Sequence, residues 1–313
     1  MDCITWSPAG RILQVEYAME AVKQGTPVLG LRSKACVVLV SFKRAQSELA
    51  QHQQKIFKID DHMAIGISGL TADARVLADY MRNECLNHRY VYDAAMNVGR
   101  LVAQVADKSQ QKTQNSSKRP YGAPCPHGSK HTLPRGLAVC AGCAGCRGVG
   151  FLSVCWQESA GKVGLLVAGC DEKGPHLYET CPSGNYFESL GSAELQRSNL
   201  RRRYYAMAIG GRSTSAKTYL EKHFADFETA DVDALVKHGL EAMNKTTSSD
   251  QSLTTKNTAV AVMETGGKYR ELSSDELQKV IDSLEKKAED EPMPDEPTPA
   301  AESAESAAPM DTT

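Results

Sequence analysis

The hydrophobic pattern near the start of the chain predicts a short amphipathic helix ahead of the first strand. Apolar residues recur there at spacings of three and four, which places them on one helical face: Ile12, Val15, Met19 and Val22. Pro8 and Gly10 predict a turn before this helix, and Gly25 and Pro27 predict its end. The periodicity leaves two partners open for the apolar face, its own domain or a neighbouring copy.

Short apolar runs rich in β-branched residues predict four strands before any long helix. These runs are Val28–Leu31, Cys36–Phe42, Lys55–Ile59 and Met63–Ile67. They lack the alternation of apolar and polar residues that a half-exposed strand shows. We therefore expect both faces of these strands to be covered.

Two consecutive helices follow, the first capped by Thr71 and the second marked by the apolar face of Val98 and Leu101. The later strands are predicted at Val163–Ala168, His176–Tyr178, Ala206–Ile209, Ala259–Met263 and Lys268–Leu272. The later helices are predicted at Ser213–Phe224, at Val232–Met243 and after a capping box formed by Ser273 and Glu276. Strands covered on both faces, with helical pairs in separate places, predict an α+β fold: a four-layer αββα sandwich of two antiparallel sheets between helical layers.

The amino-acid sequence of the first segment also resembles a known family signature. Ser7-Pro8-x-Gly10-Arg11-x-x-Gln14-x-Glu16-Tyr17-Ala18 resembles the N-terminal signature of the alpha subunits of the proteasome core particle. Further motifs resemble the eukaryotic type-1 alpha class, in order along most of the chain: Arg44–Ala50, Gly69–Arg75, Arg119–Gly122, Thr180–Phe187 and Leu253–Asn257. The resemblance independently implies the αββα sandwich of N-terminal-nucleophile hydrolases.

The chain divides by pattern into three parts. Residues 1–25 form the expected N-terminal gate segment with its appended helix, and residues 26–287 form the αββα domain. Two stretches without counterpart in the family pattern, 123–162 and 189–205, are expected to interrupt that domain as inserts. Residues 288–313 carry many acidic residues and prolines but no Lys or Arg, which predicts an acidic, disordered tail.

Composition narrows the class of protein further. The net charge of -2 over 313 residues argues against a general nucleic-acid binder. No apolar run approaches the roughly 18 residues that a membrane-spanning helix needs, and Met1-Asp2-Cys3 begins no signal peptide. We therefore expect no nucleic-acid or membrane partner, and the resemblance implies a cytoplasmic and nuclear protein.

One alternative is an enzyme. The fold implied by the resemblance is shared with proteolytic beta subunits that use an N-terminal Thr exposed by cleavage after Gly, and Gly25-Thr26 imitates that junction. A Thr hydroxyl needs a nearby base and charged groups that tune it. The active subunits carry a carboxylate at the end of the second strand, where this chain has Phe42. The expectation is a non-catalytic subunit without a cofactor.

A second alternative is a metal-binding variant. The first insert contains Cys140, Cys143 and Cys146 at intervals of three, a spacing that resembles part of an iron–sulfur ligand set, and Cys with His can also hold zinc. The Gly-Ala spacers supply no hydrophobic scaffold. Accidental clustering is therefore favoured, and no metal site is predicted.

The resemblance assigns roles to two groups of residues. Lys55, with Gly25 and Leu70, matches the pocket between neighbouring alpha subunits that receives the terminal carboxylate of an activator's tail; composition alone would make Lys55 a solvated lysine. The second group matches the gate and ring signature: Pro8, Gly10, Arg11, Gln14, Glu16 and Tyr17. The implied partners are other alpha subunits in a seven-membered ring, beta-ring subunits, and regulatory particles. The implied process is ubiquitin-dependent protein degradation.

Overall fold

The computed structural model describes residues 7–44, 49–50, 52–114, 163–189, 206–247, 253–266 and 269–290. The strands in these ranges are β1 Val28–Arg32, β2 Cys36–Phe42, β3 Ile56–Asp60, β4 Met63–Gly69, β5 Val163–Asp171, β6 Gly174–Thr180, β7 Tyr186–Glu188, β8 Ala206–Ile209, β9 Thr258–Glu264 and β10 Arg270–Glu271. The helices are α1 Leu13–Lys23, α2 Thr71–Tyr92, α3 Val98–Gln114, α4 Ser213–Lys222, α5 Phe224–Phe227, α6 Val232–Thr246 and α7 Ser274–Asp290.

The strands form two five-stranded sheets, in the orders β10-β9-β2-β1-β8 and β3-β4-β5-β6-β7. Every pairing between neighbouring strands is antiparallel. The two sheets face each other across a buried apolar layer that includes Leu39, Leu166 and Leu177. They approach closely at Gly30, where an added Cβ would lie 2.7 Å from Leu177 Cδ1. A larger residue there would require the Leu177 side chain to move.

Helices cover the outer face of each sheet. Helices α2 and α3 bury residues such as Met81 and Leu101 against the second sheet. Helices α4, α6 and α7 bury Leu220, Leu240 and Ile281 against the first. The predicted α+β class and its four-layer αββα arrangement are therefore confirmed.

Helix α1 lies outside these four layers and contacts β4 and β5. Ala18 and Val22 are buried, and an added Cβ on Gly164 in β5 would lie 2.6 Å from Val22 Cγ1. The remaining residues of the predicted apolar face, Ile12, Val15 and Met19, are only half-buried. The domain therefore covers the C-terminal half of this face more completely than the N-terminal half.

Several local predictions were wrong. Thr71 is the first residue of α2 rather than its cap, because Leu70 takes the extended N-cap conformation and makes no side-chain capping bond. The helix predicted to reach Phe224 ends at Lys222, where His223 leaves the helical conformation. The sequence reading missed strand β7. The capping box is present, since Ser273 N donates to Glu276 Oε2 at 3.0 Å and Glu276 N donates to Ser273 Oγ at 3.4 Å.

None of the helices that the structure describes is long and apolar enough to cross a membrane.

Candidate functional site

The predicted signature residues form a tight turn that leads into α1. Gly10 N donates to Ser7 O at 2.9 Å, and Arg11 N donates to the Ser7 side chain at 3.1 Å. Gly10 has a φ of 74°, a left-handed conformation that glycine adopts without strain. Pro8 lies exposed in the same turn. The Ser-Pro-x-Gly pattern is therefore explained by the geometry of the turn.

A paired ion contact joins this turn to the helix. Arg11 Nε and Nη2 donate to Glu16 Oε1 and Oε2 at 2.6 and 2.5 Å. This contact raises the pKa of the Arg11 guanidinium above its ordinary value. The pair fixes the direction in which the chain enters α1, although an exposed pair of this kind adds little stability.

The other two signature residues lie on α1. Tyr17 is 52 % exposed although it is a large aromatic side chain. Gln14 has a buried Oε1 that makes no hydrogen bond within the described part of the chain. Neither arrangement contributes to the core of this domain.

Gly25 lies where α1 ends and β1 approaches, in close contact with the end of β4. An added Cβ would lie 2.4 Å from both Gly69 N and Ser68 Oγ, so a larger residue does not fit without a backbone shift. Gly25 O accepts a hydrogen bond from Gly211 N at 2.7 Å. Ser68 Oγ also lies 3.1 Å from the carbonyl oxygens of Val22 and Thr26. The junction is therefore fixed by backbone contacts that only glycine permits.

Lys55 directly precedes β3, and its side chain is buried. It is 4 % exposed, and its Nζ donates to Thr71 Oγ1 at 3.4 Å. Burial lowers the pKa of the Lys55 ammonium, because a low-dielectric environment disfavours the charged form. The residue just before Thr71, Leu70, is 49 % exposed. The three predicted pocket residues thus converge on the segment from Ser68 to Thr71, where Leu70 has a half-exposed apolar side chain and Thr71 accepts from a buried cation.

Thr26 lies on the wall of a separate cavity of about 230 Å³ that Phe42 and Arg44 also line. Its Oγ1 is buried and has no hydrogen-bond partner within the described residues. None of the described residues that line this cavity is an Asp or a Glu. Among them, Thr26 therefore has no neighbouring carboxylate to tune its hydroxyl for nucleophilic chemistry. Sequence reasoning missed Gly211 and Arg212, which also line the cavity; the Gly210-Gly211 pair after β8 was the available signal.

Other predictions concern residues outside the described ranges. They include the cysteines at 140, 143 and 146, nearly all of both inserts, the motif Arg119–Gly122, and the tail from residue 291 onward. Within the described residues no group of three His, Cys, Asp or Glu side chains is arranged to hold a metal ion.

Comparison with known protein families agrees with this geometry. The family model described as "Proteasome subunit" matches residues 22–127 and 154–263, and a second model, for the N-terminal signature of proteasome alpha subunits, matches residues 1–21. The family match is interrupted at 128–153, inside the first predicted insert, and runs unbroken through 189–205. The chain therefore belongs to the proteasome subunit family.

Relatives from distant eukaryotes define the class within that family. The chain is 43 % identical to "Proteasome subunit alpha type-1" of Dictyostelium discoideum, over 91 % of this chain and 93 % of the relative. It is 36 % identical to the alpha type-1 subunit of Trypanosoma brucei rhodesiense, over 93 % and 89 % respectively. It is 37 % identical to "Proteasome subunit alpha type-6" of Saccharomyces cerevisiae, over 84 % and 89 %. These matches identify a eukaryotic proteasome alpha subunit, which belongs to the non-catalytic class and assembles with other proteasome subunits.

Proposed function

We propose that this chain is a structural alpha-ring subunit that controls the access of substrates to the proteasome core particle and docks regulatory particles. It would occupy a seven-membered ring with other alpha subunits, rest on the beta ring, and serve ubiquitin-dependent protein degradation in the cytoplasm and nucleus. The assignment to the alpha class supports this proposal, as does the absence of a carboxylate around Thr26 in the described part of the chain.

Lys55 carries the docking part of the proposal. Lys55 is 4 % exposed, and its one hydrogen-bond partner in the described part of the chain is the neutral Thr71 hydroxyl at 3.4 Å. Such a lysine bears a desolvation cost that an incoming anion would offset. The terminal carboxylate of an extended peptide is such an anion, and half-exposed Leu70 offers an apolar surface for the residues before it. A lysine that served only solubility would be exposed, as Lys58 is three residues further on, in β3.

The proposed gate role rests on the turn before α1. Pro8, Gly10 and the Arg11–Glu16 pair hold the chain in one direction as it leaves the helix toward residue 1. Exposed Tyr17 and half-buried Gln14 lie on the part of α1 that the domain leaves uncovered. A neighbouring alpha subunit would cover this surface and so fix the position of the gate segment.

The docking proposal is tested with Lys55→Ala in assembled particles. We expect the affinity for an activator tail at this pocket to fall by about 1.5–3 kcal/mol, the range for hydrogen bonds to charged groups, without loss of ring assembly. Binding of a fluorescent C-terminal tail peptide to purified particles measures it. Lys58→Ala, which removes an exposed lysine three residues away, is the matched control. Equal peptide binding by wild type and Lys55→Ala would contradict the docking proposal and leave Lys55 with a purely structural role.

The location is tested separately. A fluorescently tagged chain should be found in both cytoplasm and nucleus and should co-sediment with assembled core particles. Exclusion from either compartment would contradict the proposed location without affecting the docking proposal.

A further inference from the structure

The ammonium group of Lys55 lies in an environment that disfavours its charge. The side chain is 4 % exposed, and its Nζ donates to the neutral hydroxyl of Thr71 at 3.4 Å, which is long for a hydrogen bond. Loss of water disfavours the charged form of an amine, so burial lowers the pKa of Lys55. A neighbouring anion would raise that pKa. The isolated domain therefore weakens the hold of this amine on its proton.

Within the described part of the chain, the elements around Lys55 supply no anion that offsets this burial. Strand β4, whose Ile67 N donates to Lys55 O at 2.9 Å, contains no ionisable residue. The first turn of α2 contains Asp73, which is 1 % exposed. Burial is the one cause of the lowered pKa of Lys55, so the Asp73 carboxylate contributes nothing to it.

The charged residues on the adjoining elements form pairs at the surface. On β3, Lys58 is exposed, and its Nζ lies 2.7 Å from Asp61 Oδ1. At the end of α1, Lys23 is exposed, and its Nζ lies 3.1 Å from Glu20 Oε2. Exposed pairs contribute little, because water and salt screen them. A strong anionic partner for Lys55 therefore has to come from outside the described residues.

A docked carboxylate would reverse this balance. The attraction between two unit charges is several times stronger in a poorly solvated site than in bulk water. The ammonium form of Lys55 gains this attraction, and the neutral amine does not. The terminal carboxylate of a peptide stays ionised above about pH 5. Docking at neutral or alkaline pH therefore changes the protonation of the amine and not that of the carboxylate.

We propose that docking of a peptide's terminal carboxylate at Lys55 is coupled to the uptake of a proton by the buried amine, so that the affinity for the tail falls as the pH rises. The coupling rests on the proposed docking function and adds proton control to it. The proton comes from the solvent: the neutral amine and one proton give the ammonium that pairs with the carboxylate. The same proton returns to the solvent when the tail leaves and the amine deprotonates again.

The direction of the effect follows from the two states of the pocket. Below the pKa of Lys55 in the unliganded pocket, the amine is already charged, and docking takes up no proton. That pKa lies below 10.5, and the docked carboxylate raises it. Between the two values the affinity should fall by up to about 10-fold for each pH unit. Alkaline conditions therefore favour release of the tail.

Assembled core particles and a synthetic tail peptide test this coupling. The peptide is acetylated at its N-terminus, contains no Lys, His or Cys, and ends in a free carboxylate, so it does not titrate between pH 7 and about pH 9.5. The difference between wild-type and Lys55→Ala particles isolates this pocket from any other in the ring. At constant ionic strength, the affinity of this pocket should fall by about 3-fold or more across that pH range.

Titration calorimetry in buffers with different ionisation enthalpies counts the protons taken up. Wild type should take up a fraction of one proton that grows as the pH rises. Lys55→Arg keeps the positive charge but does not lose its proton in this range, so its binding should not change with pH and should take up no proton. Lys58→Ala removes an exposed lysine and should keep the wild-type pH dependence.

Two outcomes separate the coupling from the docking function. Equal binding by wild type and Lys55→Ala at pH 7 would contradict the docking function and, with it, the coupling. Weaker binding by Lys55→Ala, together with a pH-independent affinity and no proton uptake in wild type, would overturn the coupling and leave the docking function intact. The proton count needs no substitution at Lys55 beyond the Lys55→Ala reference, so the decision stands even where Lys55→Arg does not assemble.

Discussion

At the scale of single residues, the buried ammonium of Lys55 lowers the stability of the folded domain, but its position suits the binding of a ligand. Its side chain is 4 % exposed, yet among the described residues its ammonium group has a single hydrogen bond, to Thr71. Function commonly retains such a residue at a cost in stability. This cost can be measured on the isolated chain, without any partner.

We expect Lys55→Met to raise the free energy of unfolding at neutral pH by about 0.5–2 kcal/mol, because it replaces a buried charge with an apolar side chain of similar volume. Burial lowers the pKa of Lys55 below 10.5, so the folded state releases its proton before the unfolded state does. The stability of wild type should therefore rise with pH in the interval between these two pKa values. The advantage of Lys55→Met should be full below that interval and disappear as the pH approaches 10.5.

Urea denaturation of both proteins from neutral to alkaline pH measures this difference. Lys58→Met is the control, because Lys58 is exposed and paired with Asp61. A Lys55→Met variant that is less stable than wild type at neutral pH would show that the ammonium contributes a structural bond.

The sequence located Lys55 at the start of β3 but could not show its burial. Its position came from the motifs on either side, which are local. Its burial involves α2, whose Thr71 accepts its hydrogen bond from 16 residues away, and no residue next to Lys55 encodes that contact. Sequence reasoning also found Gly25, although the 2.4 Å contacts that exclude a side chain there come from residues 68 and 69. It missed Gly211, although the Gly210-Gly211 pair after β8 was an available signal, because the partner that Gly211 N contacts, Gly25 O, lies far away in the sequence.

At the scale of elements, the start of α3 shows how a distant residue can cap a helix. Asn97 Oδ1 accepts from Gly99 N at 3.0 Å, which is a local cap that sequence can suggest. Asp171, at the end of β5, accepts from Val98 N at 2.9 Å across 73 residues. Its side chain is 7 % exposed and lies 4.0 Å from His62 Nε2. It therefore joins α3 to the second sheet.

Asp171→Ala should reduce the free energy of unfolding by about 1–2 kcal/mol, the usual range for the loss of a helix cap. Asp171→Asn should lose less, because its amide oxygen still accepts from Val98 N. Glu172→Ala, at the exposed neighbouring position, is the control and should remain within about 0.5 kcal/mol of wild type. Urea midpoints at constant slope provide the measurement. Equal destabilisation by Asp171→Ala and Glu172→Ala would show that Asp171 is not a working cap.

Whether a predicted helix cap was right depended on how far apart in sequence the residues that form its hydrogen bonds lie. Ser273 and Glu276 form the predicted capping box because both bonds lie within four residues. Thr71 fails as a cap because its hydroxyl contacts Lys55, 16 residues earlier, and Leu70 takes the capping position without a side-chain bond. A cap is therefore predictable when its partners are local, and unreliable when a distant strand competes for the same hydroxyl.

At the scale of the whole molecule, the sequence indicated two covered sheets but not the order of their strands. Strand β2 pairs with β9, so that Cys36 faces Glu264, and β1 pairs with β8. A run of apolar residues predicts that a strand is buried, but it does not predict which strand pairs with it. The layer arrangement follows from composition and periodicity, whereas this long-range pairing requires the structure.

The connection between α3 and β5 offers a test at this scale. It runs from residue 115 to 162, and the family match omits residues 128–153 within it. Deletion of 128–153 would leave every family-matched residue in place and shorten the connection to less than half. Loop-closure entropy changes by only about 0.6 kcal/mol for each halving of length, so the shortened chain should be more stable by that order.

We therefore expect the chain without residues 128–153 to fold, to melt at or slightly above the temperature of the full chain, and to enter alpha rings at least as readily when co-expressed with the other subunits. The deletion removes Cys140, Cys143 and Cys146 together, so it also tests the metal-binding alternative. The control is the full-length chain with these three cysteines changed to Ser, which should behave as wild type does. Native mass spectrometry of the rings and metal analysis of the purified chains measure both outcomes. If the deletion and the Ser variant each lost bound zinc or iron and melted several degrees lower, the segment would be a metal-stabilised module and not a tolerated insert.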